Sequence, residues 1–227
     1  MTGRVGVVVP AAGLGTRLGR GAPKALRDLA GEPLLVHAVR RLRECPSVGP
    51  VVIAAPPTEV AAVCALLTSY DVLVVAGGQE RQDSVAAGLA ALPAEVDLVL
   101  VHDAARALVP VAVVEAVVAA LRAGAEAVIP VLPVPDTVKQ VDDLDRVVAS
   151  LDRRELRLAQ TPQGFRRAVL VAAHAAAPTS GDLLATDDAG LVERLGWPVS
   201  TVPGAEEAFK VTRPLDLLLA EAVLASG

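Results

Sequence analysis

Aromatic side chains are scarce in this chain: two Phe, one Tyr and one Trp in 227 residues. A core must therefore be built from Val, Leu, Ala and Ile. Cysteine is as scarce. Cys45 and Cys64 show no metal-ligand spacing, so they are expected as buried or semi-buried thiols in a reducing compartment. Only three histidines occur, His37, His102 and His174, and no Ser-His-Asp pattern accompanies them. No run of like charge is present, and 21 basic against 26 acidic residues argue against a general nucleic-acid binder. Charges or prolines interrupt every apolar stretch before it reaches the roughly 18 residues of a membrane span. The N-terminal residues have none of the basic and apolar regions of a signal peptide. A soluble cytoplasmic protein is the expectation, with no membrane and no nucleic acid among its partners.

What is there is a rhythm. The short apolar runs VGVVV (5–9), VVIAA (51–55), VLVVA (72–76), LVLVH (98–102) and AVIPV (127–131) have the composition of strands buried on both faces. Between them, 32–44, 58–67, 81–92 and 110–123 carry helical periodicity, with Thr58 expected as an N-cap and Pro110 near a first turn. Alternating strands and helices predict an α/β fold: a Rossmann-like, doubly wound, mostly parallel sheet covered on both faces. A single domain over 1–227 is expected.

The rhythm breaks after residue 131. TVKQV (137–141) and VVASL (147–151) are predicted to pair as a β-hairpin around DDLD, an inserted arm at about 136–160 with few apolar residues of its own. Helical sequence resumes at 166–177 and 185–196. A short strand near 199–204 and a last helix at 214–225 close the chain.

Ligands bind at the C-terminal ends of parallel strands. The first such loop is AAGLGTRLGRGAPK (11–24). Gly13 and Gly15 allow turns that a Cβ would obstruct and let main-chain N–H groups face an anion, while Arg17 and Lys24 add positive charge. The inference is a polyphosphate site. The P-loop pattern fails, because Lys24 follows Pro23 and precedes Ala25. The dinucleotide fingerprint fails too, because Leu18 stands where its third glycine belongs. The nucleotidylyltransferase signature, a glycine-rich turn, then Arg, then Pro-Lys, fits throughout.

Six further motifs follow in order: GGQERQDSVAAGL, VHDAARALVP, PVPDTVK, LDRRELRLAQTPQGF, ATDDAG and FKVTRPLDL. With the loop they resemble the 2-C-methyl-D-erythritol 4-phosphate cytidylyltransferases over nearly the whole chain. Two positions depart from that pattern: Ala25, where Gln is usual, and Ala107, where Pro is usual. Altered packing rather than lost chemistry is expected there.

The resemblance implies the nucleotide-diphospho-sugar transferase type of fold, CTP and methylerythritol phosphate as substrates, Mg²⁺ or another divalent cation, and a homodimer with exchanged arms. By the same resemblance Arg17 and Lys24 are catalytic. Ala11, Ala12, Gly13, Leu14, Gly15, Gly78, Ser84 and Ala104 surround the nucleotide. Asp103, Arg106, Thr137, Arg153, Thr161 and Lys210 surround the acceptor, and Asp103 helps to hold the metal. The residues by themselves leave alternatives. Ser84 and Asp103 are equally ordinary as helix caps, and the cations as solvated surface charges. His102 is expected to be structural, and Asp187 and Asp188 to cap a helix or support the site from behind. A ribitol-5-phosphate cytidylyltransferase shares the fold and the CTP loop and remains open as a second function; a non-catalytic nucleotide-binding module is the alternative from another class.

Overall fold

The computed structural model describes residues 3–13, 23–177 and 186–226. Four strands form the parallel centre: β1 (Arg4–Pro10), β4 (Val51–Ala55), β5 (Val72–Ala76) and β6 (Val96–Val101). Between β1 and β4 lie a two-residue hairpin, β2 (Asp28–Leu29) and β3 (Glu32–Pro33), and helix α1 (Leu34–Arg43). Helix α2 (Val60–Leu66) leads to β5, α3 (Arg81–Ala91) to β6, and α4 (Val111–Arg122) to β7 (Ala127–Pro133).

The end of the segment expected as the arm, and the residues just after it, complete the central sheet instead. Strands β10 (Arg157–Ala159) and β11 (Gln163–Arg166) run antiparallel to β7, and β11 also pairs with β6. Strand β11 is thus wedged between β6 and β7, while β10 pairs with β7 alone. Strand β12 (Val199–Pro203) pairs in parallel with the other edge of β7. The hairpin of β8 (Val138–Val141) and β9 (Val147–Leu151) makes its own two-stranded sheet. Helices α5 (Arg167–Ala176), α6 (Asp188–Arg194) and α7 (Pro214–Ser226) complete the described residues.

Alternation along the strands divides the core. Val7, Val9, Ile53 and Leu100 face α1 and α4, while Val8, Val52, Val99 and Val101 face α3, α5 and α6. A third cluster packs α7 on the β2 segment through Leu29, Leu34, Val211 and Ala220. Phe165 is the one aromatic with no exposed surface among the described residues. The rest of the packing is aliphatic, each buried Val or Leu contributing about 1.5–3 kcal/mol. Both departures from the family pattern lie in packing: Ala25 in the α1–α4 cluster and Ala107 against Leu29 and Leu34.

Three expectations need correction. Thr58 does not cap α2; it lies inside a 3-10 turn, Pro57–Glu59, and Glu59 takes the cap position without a side-chain bond. Pro110 holds the cap position of α4. Cys64 is exposed, whereas Cys45 is buried and donates to the Glu115 carboxylate at 2.9 Å. Burial and that bond push the Cys45 thiol up to about 12. Finally, the arm is less polar than its sequence suggested: Val141 and Val147, paired across the hairpin and so on one face of it, are 48% and 60% exposed, an apolar stripe.

Candidate active site

A cleft opens at the C-terminal ends of β1, β5 and β6. About 610 Å³ of space, continuous with solvent, lies within it. Four stretches line it: 10–13 after β1, Lys24 and Ala25, the 78–81 turn with Ser84, and 103–105 after β6. Lys210 completes the wall. The sequence-predicted residues Ala11, Ala12, Gly13, Lys24, Gly78, Ser84, Asp103, Ala104 and Lys210 thus meet in one place. Leu14, Gly15 and Arg17 lie outside the described residues.

The first loop is positioned by main-chain pairing. Ala11 N–H donates to the Ala54 carbonyl at 2.8 Å, and Lys24 N–H to the Gly13 carbonyl at 3.2 Å. A Cβ built on Gly13 would meet no described protein atom within 4 Å. Among the described residues nothing obstructs a Cβ at Gly13, which lines the cleft. Gly78 is different, for a Cβ there would lie 2.2 Å from that of Asp83. The 78–81 turn is tight because Glu80 and Asp83 form a reciprocal capping box at the start of α3. Ser84 is not the cap. It sits within the helix, 1% exposed, where its hydroxyl accepts from Gly78 N–H and donates to the Glu80 carbonyl.

Asp103 organises the charge. Its Oδ2 receives Lys210 Nζ at 2.6 Å and its Oδ1 receives Arg81 Nε at 3.2 Å. Burial alone would raise its carboxyl pKa, but the charges of Arg81, Lys210 and Arg106 outweigh burial and hold it well below the carboxylate range. Arg81 was not singled out from the sequence. Its second contact is Asp188, at 2.7 Å from Nη1, and Asp188 is 1% exposed. Burial opposes the Arg81 charge, and the two carboxylates more than compensate. The signal available was position: Arg81 follows the glycine pair after a parallel strand, as Arg17 and Lys24 follow the first loop.

Behind Asp103 a neutral network fixes the strand end. Asp103 N–H donates to Thr161 Oγ at 3.0 Å, and Thr161 Oγ lies 3.1 Å from His102 Nδ1. His102 Nε2 lies 3.3 Å from the Arg106 carbonyl. One assignment satisfies every atom: the hydroxyl donates to Nδ1, and Nε2–H donates to the carbonyl. Burial pushes the His102 imidazole down to about 4, so it stays neutral, the structural part expected of it. Thr161 faces this network rather than the cleft. Arg106 also lies off the cleft wall, donating to the carbonyls of Ala208 at 2.7 Å and Ala159 at 3.1 Å, where it ties the Lys210 segment to β10.

Thr137 and Arg153 are not brought to this cleft. Both are exposed on the arm, and none of residues 136–160 lines the wall. Arg153 Nη1 donates to the Pro135 carbonyl. Asp187 caps α6 by accepting from Gly190 N–H at 2.9 Å, as expected. Among the described residues no cluster of three or more His, Cys, Asp or Glu side chains has the arrangement of a metal cage, and no helix is long and apolar enough to cross a membrane.

A parallel α/β sheet with a lysine-flanked, glycine-bearing loop and a cation-lined cleft at its strand ends defines a nucleotide-binding transferase of the nucleotidylyltransferase class. Residues 5–226 match the family model of IspD, 2-C-methyl-D-erythritol 4-phosphate cytidylyltransferase, and the chain belongs to that family. It is 59% identical to the 2-C-methyl-D-erythritol 4-phosphate cytidylyltransferase of Frankia casuarinae, over 98% of this chain and 82% of that one. The crystal structure of the Thermus thermophilus enzyme of the same name is 39% identical, with a TM-score of 0.76 over 96% of this chain and 98% of that one. The 4-diphosphocytidyl-2C-methyl-D-erythritol synthase of Anaerococcus prevotii gives a TM-score of 0.87 at 26% identity, over 99% of this chain and all of that one.

Proposed function

We propose that the chain transfers the CMP group of CTP to 2-C-methyl-D-erythritol 4-phosphate, releasing pyrophosphate, in isoprenoid precursor synthesis. The observation that carries this is the cleft itself, where Lys210 and Arg81 converge on one carboxylate and Lys24 and Gly13 line the same wall. An oxygen of the acceptor phosphate attacks the α-phosphorus of CTP. A new P–O bond forms, and the bond from the α-phosphorus to the bridging oxygen breaks with its electrons leaving on pyrophosphate. The attacking oxygen is already anionic at neutral pH, so no general base is required. The neutral His102, turned into its own network, agrees with that economy.

The barrier is electrostatic, since one anion must approach another, and fixed cations and orientation lower it. Lys24, with Arg17 from the same loop, neutralises charge growing on the α-phosphate and the leaving group. Ala11, Ala12, Gly13, Gly78 and Ala104 let the main chain approach the nucleotide, and Lys210 faces the acceptor phosphate. A divalent ion fits as one brought by the triphosphate. Asp103 would supply a single carboxylate oxygen, phosphates and water the remaining ligands, and the ion would supply charge neutralisation. Thr137 and Arg153 would serve the cleft of a second copy, the arm crossing in a two-fold dimer that covers its apolar stripe.

Pyrophosphate release, measured with each of the four nucleoside triphosphates and with methylerythritol phosphate or ribitol 5-phosphate as acceptor, tests the proposal. CTP with methylerythritol phosphate is expected to exceed every other pair in kcat/KM. Equal rates with ATP, or a preference for ribitol phosphate, would overturn it.

A further inference from the structure

The charges around Asp103 continue beyond the cleft. Asp188, 1% exposed and absent from the cleft wall, accepts Arg81 Nη1 at 2.7 Å on Oδ2 and His174 Nε2 at 2.9 Å on Oδ1. A carboxylate only accepts, so His174 Nε2 carries the hydrogen in that pair. Three elements fix Asp188 in place. It starts α6, where a negative charge suits the helix dipole. His174 reaches it from α5. Gln163, on β11 in the middle of the sheet, accepts from Ala189 N–H at 3.1 Å and donates to Asp187 at 2.7 Å, which pins the first turn of α6.

The distances rank the contacts. Arg81 holds Asp188 at 2.7 Å and Asp103 at 3.2 Å, while Asp103 holds Lys210 at 2.6 Å. Arg81 is thus bonded more closely to the remote carboxylate than to Asp103, whose shortest contact is Lys210. We infer that Asp188 is a positioning residue for the reaction: by holding Arg81 back, it lets Asp103 set the place of Lys210. Without the Asp188 charge, Arg81 has one buried anion left to satisfy and closes on Asp103, in competition with Lys210. This rests on the assignment of Lys210 to the acceptor phosphate made above.

The test is a cycle of four full-length proteins: wild type, Asp188→Asn, Lys210→Met and the double variant. Each is measured for KM of methylerythritol phosphate, KM of CTP, kcat and thermal midpoint. Asp188→Asn is expected to raise the acceptor KM about tenfold while the CTP KM stays within about twofold, and to add nothing to the acceptor KM once Lys210 is gone. An unchanged acceptor KM, with only the thermal midpoint lowered, overturns the inference and leaves the CTP-dependent reaction standing. So does an equal KM rise with and without Lys210. If Lys210→Met leaves the acceptor KM unchanged, the assignment of Lys210 fails and this inference fails with it. Loss of wild-type turnover with CTP and methylerythritol phosphate would instead strike the proposed function. Should Asp188→Asn not fold, Arg81→Lys replaces it in the cycle, since a single ammonium cannot span both carboxylates as the guanidinium does.

Discussion

The cleft and the arm both carry arginines paired with aspartates, but on opposite terms. In the cleft, Arg81 joins two carboxylates from distant parts of the chain, one of them fully enclosed. On the arm, Arg146 pairs with Asp142 and Arg154 with Asp152, partners two to four residues away, and these arginine side chains are 72% and 87% exposed. A local exposed pair is screened by water and contributes little, whereas an enclosed one fixes geometry and is costly to break. The cleft is therefore organised before substrate arrives. The arm instead presents an apolar stripe and cations bonded only to their near surroundings.

The difference is tested most severely by deleting one arginine from each region. Arg81→Met should lower the unfolding free energy by about 3–5 kcal/mol in urea titration, since it strands Asp188. Arg154→Met should leave the urea midpoint where it was. Equal effects would erase the contrast. Next in size is Lys24→Ala, expected to reduce kcat about a hundredfold or more with an unchanged thermal midpoint, as loss of a preorganised charge does. A near-normal kcat in the folded variant would remove Lys24 from the chemistry.

Acid should find the cleft before the arm. Folded His102 remains neutral down to about 4, whereas an unfolded imidazole takes its proton near about 6.5. Between those values the unfolded state binds the extra proton, so stability falls as pH falls. From about pH 7.5 to about pH 5 the loss from this group is about 2 kcal/mol. Asp103 adds nothing in that window, because the stability from a depressed carboxyl is lost only below the ordinary value of about 3.9. Urea midpoints across the range should slope in wild type and flatten in His102→Gln. A slope retained by His102→Gln would place the sensitivity elsewhere. The smallest effect concerns exchange of the arm. Lys24→Ala and Arg153→Ala subunits, remixed under denaturant at equal amounts, should recover about a quarter of wild-type activity, as half the dimers are mixed and each has one intact site. No recovery in verified mixed dimers would confine each arm to its own chain.

The parallel strands were legible because runs such as VVIAA can only be buried, and the loop after β1 because its glycines and lysine have few other uses. Strand β11 was not. QGFR is short and half polar, and only the packing of Phe165 and Gly164 under α4 and α5, with Gln163 bonded to α6, makes it central. Thr58 has the chemistry of a cap, yet Pro57 draws it into a 3-10 turn. Arg81 looked like the polar start of a helix, because Asp188 is 107 residues away and no local pattern announces it. Ser84 belonged to the cleft wall but not at a cap, since Glu80 and Asp83 already filled that role.

Gly88 shows how a measuring gauge can be hidden in a helix. It lies within α3 and faces β1, where a methyl group would come within 2.4 Å of the wholly enclosed Val8. Helix propensity alone recommends Gly88→Ala by about 1 kcal/mol. A stability screen guided by propensity would choose it, and the helix would have to lift. Arg81 and Ser84 ride on that same helix, two turns and one turn earlier. The missing side chain is thus a spacer of zero thickness: it sets how near the helix lies to the sheet, and so where those two residues stand at the cleft.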